Sequence, residues 1–412
     1  MPRKASLYLL FGAIIIATFL LGVVAAGLFF RARPAPGPEV KAPELSEQVS
    51  LPTTQVVTTE EKVVSQKVVE APKVTVPISA PTVKRERLLK AEFQKGMVLI
   101  AWTSNGYQNA NVLKSLDQLK SLGVEWVALV VTWYQDRFNS AEVYPDKDKT
   151  PTDESLIFII RKLHEMKFKI MFKPHLDLVD AQDKWRADIE FKSEADWQAW
   201  FDSYSAYVLH YAQLCEQENV ELFCIGTELR QPTVTQPARW RELTKKMREA
   251  FGGQLTYAAN WNDEYDRIEF WDALDYAGID PYFPLVCTLS PKVEELKSAW
   301  NDWLKPIEEW QKKINKPVIF AEMGYKSAQD ATDEPWQHAA MGDLNLEIQS
   351  NCYQAMLESF WDKPWFYGIY WWYWGVHPTM GGPTNRGFTP QNKPSQEVVR
   401  QWYAKPVVGK AY

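Results

Sequence analysis

The chain is poor in the residues that most often announce a chemistry. Its four cysteines, Cys215, Cys224, Cys287 and Cys352, form no CxxC pair and have no zinc-ligand spacing, so they read as buried thiols. Cys224 is expected to point into the protein interior, four residues before Glu228 on the same strand face. The five histidines are scattered with no HExxH, so no metal site is expected. No GxSxG elbow precedes a helix, which disfavours a serine hydrolase. Gly381-Gly382-Pro383 reads as a turn, and no glycine-rich phosphate loop follows the first strand pattern. Basic charge is not in excess either: the net charge is −6, which offers no field for nucleic acid. Nothing in the sequence calls for a cofactor.

What is abundant is apolar and aromatic. Hydrophobic residues make up 46% of the 412, enough for a sizeable core. Part of the 19 tryptophans must be core, but indole faces at strand tips suit the faces of sugar rings.

Three regions follow one another. Leu7 to Phe30 runs without a charge between Arg3-Lys4 and Arg31, and as a helix it would span about 36 Å, enough to cross a bilayer. Val24-Ala25-Ala26-Gly27 would also suit cleavage of a signal peptide, but the apolar run is long for one. Residues 1–30 are therefore expected to be an uncleaved membrane anchor, with the rest of the chain exported. Residues 31–90 are rich in Pro, Val and Thr and contain no aromatic residue, as in an extended tether. Residues 91–405 alternate apolar runs with amphipathic ones, and 406–412 form a tail.

The apolar runs predict strands at Met97–Trp102, Trp126–Trp133, Lys169–His175, Leu222–Glu228, Leu255–Asn260, Tyr276–Tyr282, Val318–Glu322 and Phe366–Tyr373. Helices are expected at Asn109–Leu122, Thr152–Met166, Glu194–Gln217, Pro237–Ala250, Val293–Ile314, Leu344–Trp361 and Ser395–Ala404, with a short fifth crossover near Asp266–Ala273. Eight such alternations, joined by right-handed crossovers, predict a closed (β/α)8 TIM barrel, with an open doubly wound sheet as the alternative. The open sheet fits less well, because the strand tips are aromatic rather than glycine-rich.

Two of those strands stop abruptly at a carboxylate, Leu222–Glu228 and Val318–Glu322. One glutamate after a strand is usually a solvated loop charge. Two, on the face of a barrel that carries active sites, suit a glycosidic bond, which needs one carboxyl protonated and one ionised. The other tips supply company: Trp102, His175, Asn260, Tyr282 and the run Trp371-Trp372-Tyr373-Trp374. Tyr282 is placed to hydrogen-bond a nucleophile, Asn260 to bind a sugar hydroxyl and Trp374 to face the pocket. An oligo- or polysaccharide is thus the expected partner of a monomeric catalytic domain, and a bilayer that of residues 7–30.

Gly226-Thr227-Glu228-Leu229, Lys173-Pro174-His175, Gly278-Ile279-Asp280-Pro281-Tyr282, Phe320-Ala321-Glu322-Met323-Gly324-Tyr325 and Gly387-Phe388-Thr389-Pro390 together resemble glycoside hydrolase family 113. The resemblance covers about residues 92–405. It implies a retaining mechanism on β-1,4-mannan, with Glu228 as acid/base and Glu322 as nucleophile. In many members of the wider clan the residue before the acid/base is an Asn that touches the sugar 2-hydroxyl, and here that position is Thr227. Two alternatives stand beside this reading: a hydrolase of another β-glycan (a glucan, a cell-wall or an exopolysaccharide chain), and a barrel that binds glycan without cleaving it.

Overall fold

The computed structural model of the protein describes residues 90–286 and 288–410. The expected anchor, nearly all of the expected tether, Cys287 and the last two residues lie outside the described residues. Among the described residues no helix is long and apolar enough to cross a membrane.

Eight parallel strands close on themselves in sequence order: β1 (Gln94–Ile100), β2 (Trp126–Gln135), β3 (Lys169–Leu178), β4 (Leu222–Thr227), β5 (Gln254–Asn260), β6 (Ala277–Asp280), β7 (Val318–Met323) and β8 (Phe366–Gly375). Around them lie α1 (Val112–Ser121), α2 (Asp153–Glu165), α3 (Glu194–Gln217), α4 (Arg230–Thr235), α5 (Pro237–Ala250), α6 (Val293–Ile314), α7 (Leu346–Phe360) and α8 (Pro394–Tyr403). Helix starts follow local chemistry. Thr152, Ser193 and Asn345 accept from the backbone N–H three residues on, at the heads of α2, α3 and α7. Each such cap contributes about 1 kcal/mol. Pro237 and Pro394 open α5 and α8, where a missing N–H costs nothing.

Alternation sorts the strand residues into two cores. One set, including Val98, Ala128, Met171, Cys224, Ala258 and Ile319, fills the barrel. Cys224 does point inward. The other set packs the strands against the helices.

Some boundaries differ from expectation. β1 begins at Gln94 rather than Met97, because Gln94 and Lys95 pair with Gly368 and Ile369 of β8, and the Lys95 ammonium bonds the Tyr403 carbonyl at 2.7 Å. It also ends at Ile100, so Trp102 lies beyond it. The fifth crossover holds only the 3-10 turn Trp271–Ala273. Helix α4, directly after Glu228, was not expected, since Pro232 falls inside it.

The strands that carry the site share a feature the pattern could not give. β4 pairs with β5 as Cys224–Thr256 and then, one residue out of step, as Thr227–Ala258. β7 slips against β8 between Phe320 and Met323, and β8 slips against β1 where Trp371 faces Met97 but Trp374 faces Leu99. A bulge of this kind re-aims the side chains that follow it. On β7, Ala321 lies in the barrel core and the next residue, Glu322, also opens on the cleft. On β8, Trp372 points inward while Trp371 and Trp374 both join the outer core, and the Trp372–Tyr373 peptide is cis.

Candidate active site

The strand tips surround a cleft of about 880 Å³. That lies toward the upper end of the roughly 300–1,000 Å³ usual for ligand sites. Glu228 and Glu322 both open into it, with only 9% and 8% of their surface exposed.

Their surroundings differ. Glu322 has a donor on each oxygen: Lys173 Nζ at 2.7 Å from Oε2 and the Tyr282 hydroxyl at 3.0 Å from Oε1. Lys173 also reaches Asp280 Oδ2 and the Ala321 carbonyl, each at 3.3 Å, and no part of the Lys173 or Asp280 side chain meets solvent. Burial alone would lower the lysine's pKa, but Asp280 and Glu322 outweigh it and hold the ammonium above its ordinary value. Asp280 itself is pushed well above the usual carboxylate range by burial, against the pull of Lys173 and with the added repulsion of Glu322 and Glu228.

Glu228 follows the end of β4 in a left-handed conformation, φ 53°, and its N–H bonds the Ala258 carbonyl at 2.8 Å. Only a tight turn brings a non-glycine residue there. Gly226 makes the approach possible, since a Cβ at that position would lie 2.8 Å from the Tyr257 ring and 2.9 Å from the Tyr204 hydroxyl. Glu228 accepts one bond, from Asn260 Nδ2 at 2.8 Å. Burial raises its pKa above the ordinary glutamate value; Glu322 adds to this, while Arg186, Asn260 and Lys173 oppose it. The two carboxyls are therefore set in unlike environments, one against a cation and a phenol, the other favoured in its protonated form.

His175 stacks on Trp372, ring centres 6.0 Å apart and planes within 9°. Burial, then Lys173 and Arg186, lower its pKa well below the ordinary value, so the ring is neutral. Its Nε2 lies 3.8 Å from Glu322 Oε2 and has no hydrogen-bond partner in the protein, which leaves it for a hydroxyl in the cleft.

Of the residues expected at the site, Trp102, His175, Asn260 and Tyr282 all line the cleft with the two glutamates. Trp102 does so at the rim, 58% exposed and edge-on to Tyr373. Asn260 has both ends of its amide engaged, by Glu228 and by the Asn262 N–H. Thr227 is not in the lining: it is buried, and its hydroxyl donates to the Pro174 carbonyl at 3.2 Å. Trp374 is a correction. It is fully buried against α1, its indole N–H donating to the Ser115 hydroxyl at 2.9 Å, because the slip in β8 turns it outward while Trp372 keeps the inward face.

Sequence reasoning passed over Lys173, although it stands two residues before His175 on the same strand face. It also missed Arg186, which lies outside any strand, pairs with Asp177 at 3.1 Å and lines the cleft. Trp261, which stands with Asn260 at the tip of the fifth strand, stacks on Trp336 with centres 5.3 Å apart to form another wall, and Trp336 had no signal in the sequence. Among the described residues no three His, Cys, Asp or Glu side chains are grouped as metal ligands.

A parallel barrel with two buried glutamates at the tips of β4 and β7, in an aromatic cleft, defines a barrel glycosidase. The profile of Glycoside Hydrolase Family 113 matches residues 100–393, and the chain belongs to that family. It is similar to a solved GH113 β-1,4-mannanase, with 27% identity over 76% of this chain and 100% of the other and a TM-score of 0.69. It is also similar to the GH113 β-mannanase AaManA from Alicyclobacillus acidocaldarius, solved in complex with ManMIm, with 25% identity over 77% of this chain and 98% of the other and a TM-score of 0.69. A β-glucuronidase from Ruminococcus gnavus, 14% identical over 76% of this chain and 50% of the other with a TM-score of 0.51, shares the fold. No curated protein matches the chain. The protein is an O-glycosyl hydrolase, and the alternative of a barrel that only binds glycan is set aside.

Proposed function

We propose that the protein is a retaining β-1,4-mannanase acting by double displacement. The observation that carries this is the unlike setting of the two carboxyls in one cleft: Glu322 against Lys173 and Tyr282, Glu228 dry and raised. Glu322 attacks the anomeric carbon as Glu228 gives its proton to the departing glycosidic oxygen, leaving a covalent glycosyl–enzyme ester. Glu228, now ionised, takes a proton from the incoming water; the water oxygen bonds the anomeric carbon and Glu322 departs as carboxylate. Trp372 forms the floor under the reacting sugar, and His175 Nε2 meets one of its hydroxyls. The mannan preference is supported by the GH113 mannanases to which the chain is similar. Product analysis after incubation with mannan, glucomannan and β-glucan tests it, and cleavage of glucan alone would replace mannan with another β-glycan.

The pH dependence has a definite sign. Glycosylation needs protonated Glu228, so kcat/KM falls as pH rises through its raised pKa. The Arg186 cation pulls that pKa down. Arg186→Met is therefore expected to move the alkaline limb of kcat/KM to higher pH, and a limb that stayed put or moved down would count against Glu228 as the acid.

We further propose that residues 7–30 anchor the enzyme in a membrane, with the barrel exported on a Pro-rich tether. It is supported by the uncharged apolar run and the composition of residues 31–90. Fractionation of the full chain, with protease access to the barrel in intact cells, tests it.

A further inference from the structure

Behind Glu228 lies a second carboxyl that the mechanism above does not use. Glu264 is fully buried, just beyond the tip of β5. Its two oxygens take three donors: the Tyr257 hydroxyl at 2.7 Å and the Thr233 hydroxyl at 2.8 Å on Oε1, and the Asn260 backbone N–H at 2.7 Å on Oε2. Tyr257 in turn accepts the Leu229 N–H at 2.6 Å. Two arms thus leave Glu264 and converge on one residue. One fixes the backbone of Asn260, whose amide donates to Glu228 Oε1. The other fixes, through Tyr257, the peptide immediately after Glu228 in its left-handed turn.

We propose that Glu264 is a positioning residue that aims Glu228 at the leaving-group oxygen, through Asn260 on one side and Tyr257 on the other. This rests on the role given to Glu228 above. A buried carboxyl is costly unless its partners are satisfied, and here two of its three donors, Asn260 and Tyr257, also bond Glu228 or the peptide after it. Glu264 does not itself line the cleft, so its effect reaches the reaction only through those two arms.

The substitution chemistry is specific. A carboxylate serves these three donors with two acceptor oxygens, whereas an amide has one. Glu264→Gln must therefore either release the Asn260 N–H or turn its NH2 onto the Tyr257 and Thr233 hydroxyls, which then can no longer donate to it. Tyr257→Phe cuts the Leu229 arm alone and keeps the ring that packs on Gly226. Misplacing an acid harms substrates that need protonation of their leaving group and spares those that do not. Loss of folded protein harms both alike.

The experiment compares the full chain with the two variants on mannohexaose and on 2,4-dinitrophenyl β-mannobioside, whose leaving group needs no proton. Active sites are counted by stoichiometric labelling with a 2-deoxy-2-fluoro-β-mannosyl fluoride. Per labelled site, each variant is expected to lose about 10- to 100-fold in kcat/KM on mannohexaose, a share of the roughly 10²–10⁴ that a general acid supplies, and less than about 3-fold on the dinitrophenyl substrate. Equal losses on the two substrates, no loss on either, or two variants that cannot be labelled would each overturn the proposal. An unmutated chain that neither labels nor cleaves would instead remove the retaining-mannanase reading, and this inference with it.

Discussion

Lys173→Met is expected to abolish turnover and to destabilise the barrel by about 3–5 kcal/mol, the usual cost of stripping one partner from a buried ion pair. Lys173 is the cation shared by Asp280 and Glu322, and neither Lys173 nor Asp280 meets solvent. Methionine fills the space but leaves two close carboxyls facing each other in a dry interior. The cost should depend on pH. Asp280 already has a raised pKa in the folded protein, so its folded form binds protons more tightly than its unfolded form. Stability tied to such a group falls as pH rises above the ordinary carboxylate value. In the variant the loss should therefore be smallest in acid, where Asp280 takes a proton, and should grow toward neutrality. Adding Asp280→Asn to Lys173→Met should recover much of the stability and none of the activity, because Glu322 still lacks its cation. Denaturant midpoints across pH measure the first part and turnover of mannan the second. A single variant within ten-fold of full activity would mean that Lys173 is not the nucleophile's counter-charge.

The second large effect separates the two glutamates. Glu322→Ala is expected to lose about 10⁴-fold or more on every substrate, since no covalent intermediate can form. Glu228→Ala should lose about 10²–10⁴-fold on mannan but far less on a dinitrophenyl mannoside. Azide then distinguishes them by stereochemistry. In Glu228→Ala, azide replaces water in attack on the glycosyl–enzyme and yields the β-mannosyl azide. In Glu322→Ala, azide occupies the vacated side, attacks the anomeric carbon directly and yields the α-mannosyl azide. The opposite pairing of variant and product would exchange the two roles.

Much of the fold was legible because barrel strands are buried on both faces and read as apolar runs. Leu222 to Thr227 and Val318 to Met323 stand out against the charged helices beside them. The carboxylates ending those runs were legible for the same reason: an abrupt polar stop after a buried strand marks a tip. What failed was the rule of two. Trp374 was expected in the cleft by alternation, on the same face as Trp372, but a one-residue slip between β8 and β1 turned it outward and left Trp372 inward. Alternation along a strand carries no record of a slip, which is fixed by pairing with neighbours distant in sequence. Lys173 was quoted in a motif and still given no role, because a lysine becomes a site residue only when folding removes its solvent and supplies two acids. Glu264 had no signal at all. Its three donors come from Thr233, Tyr257 and Asn260, and nothing in their spacing marks them as one network.

The claim on which the mechanism turns is that Glu322 forms a bond to the sugar and water later displaces it from the opposite face, the one the leaving group left. Proton NMR of mannohexaose in the first minutes of cleavage by the unmutated chain tests this most directly. New reducing ends should appear first as the β-anomer and reach the α-anomer only by mutarotation. Reducing ends that appear first as the α-anomer would contradict double displacement and the role assigned to Glu322.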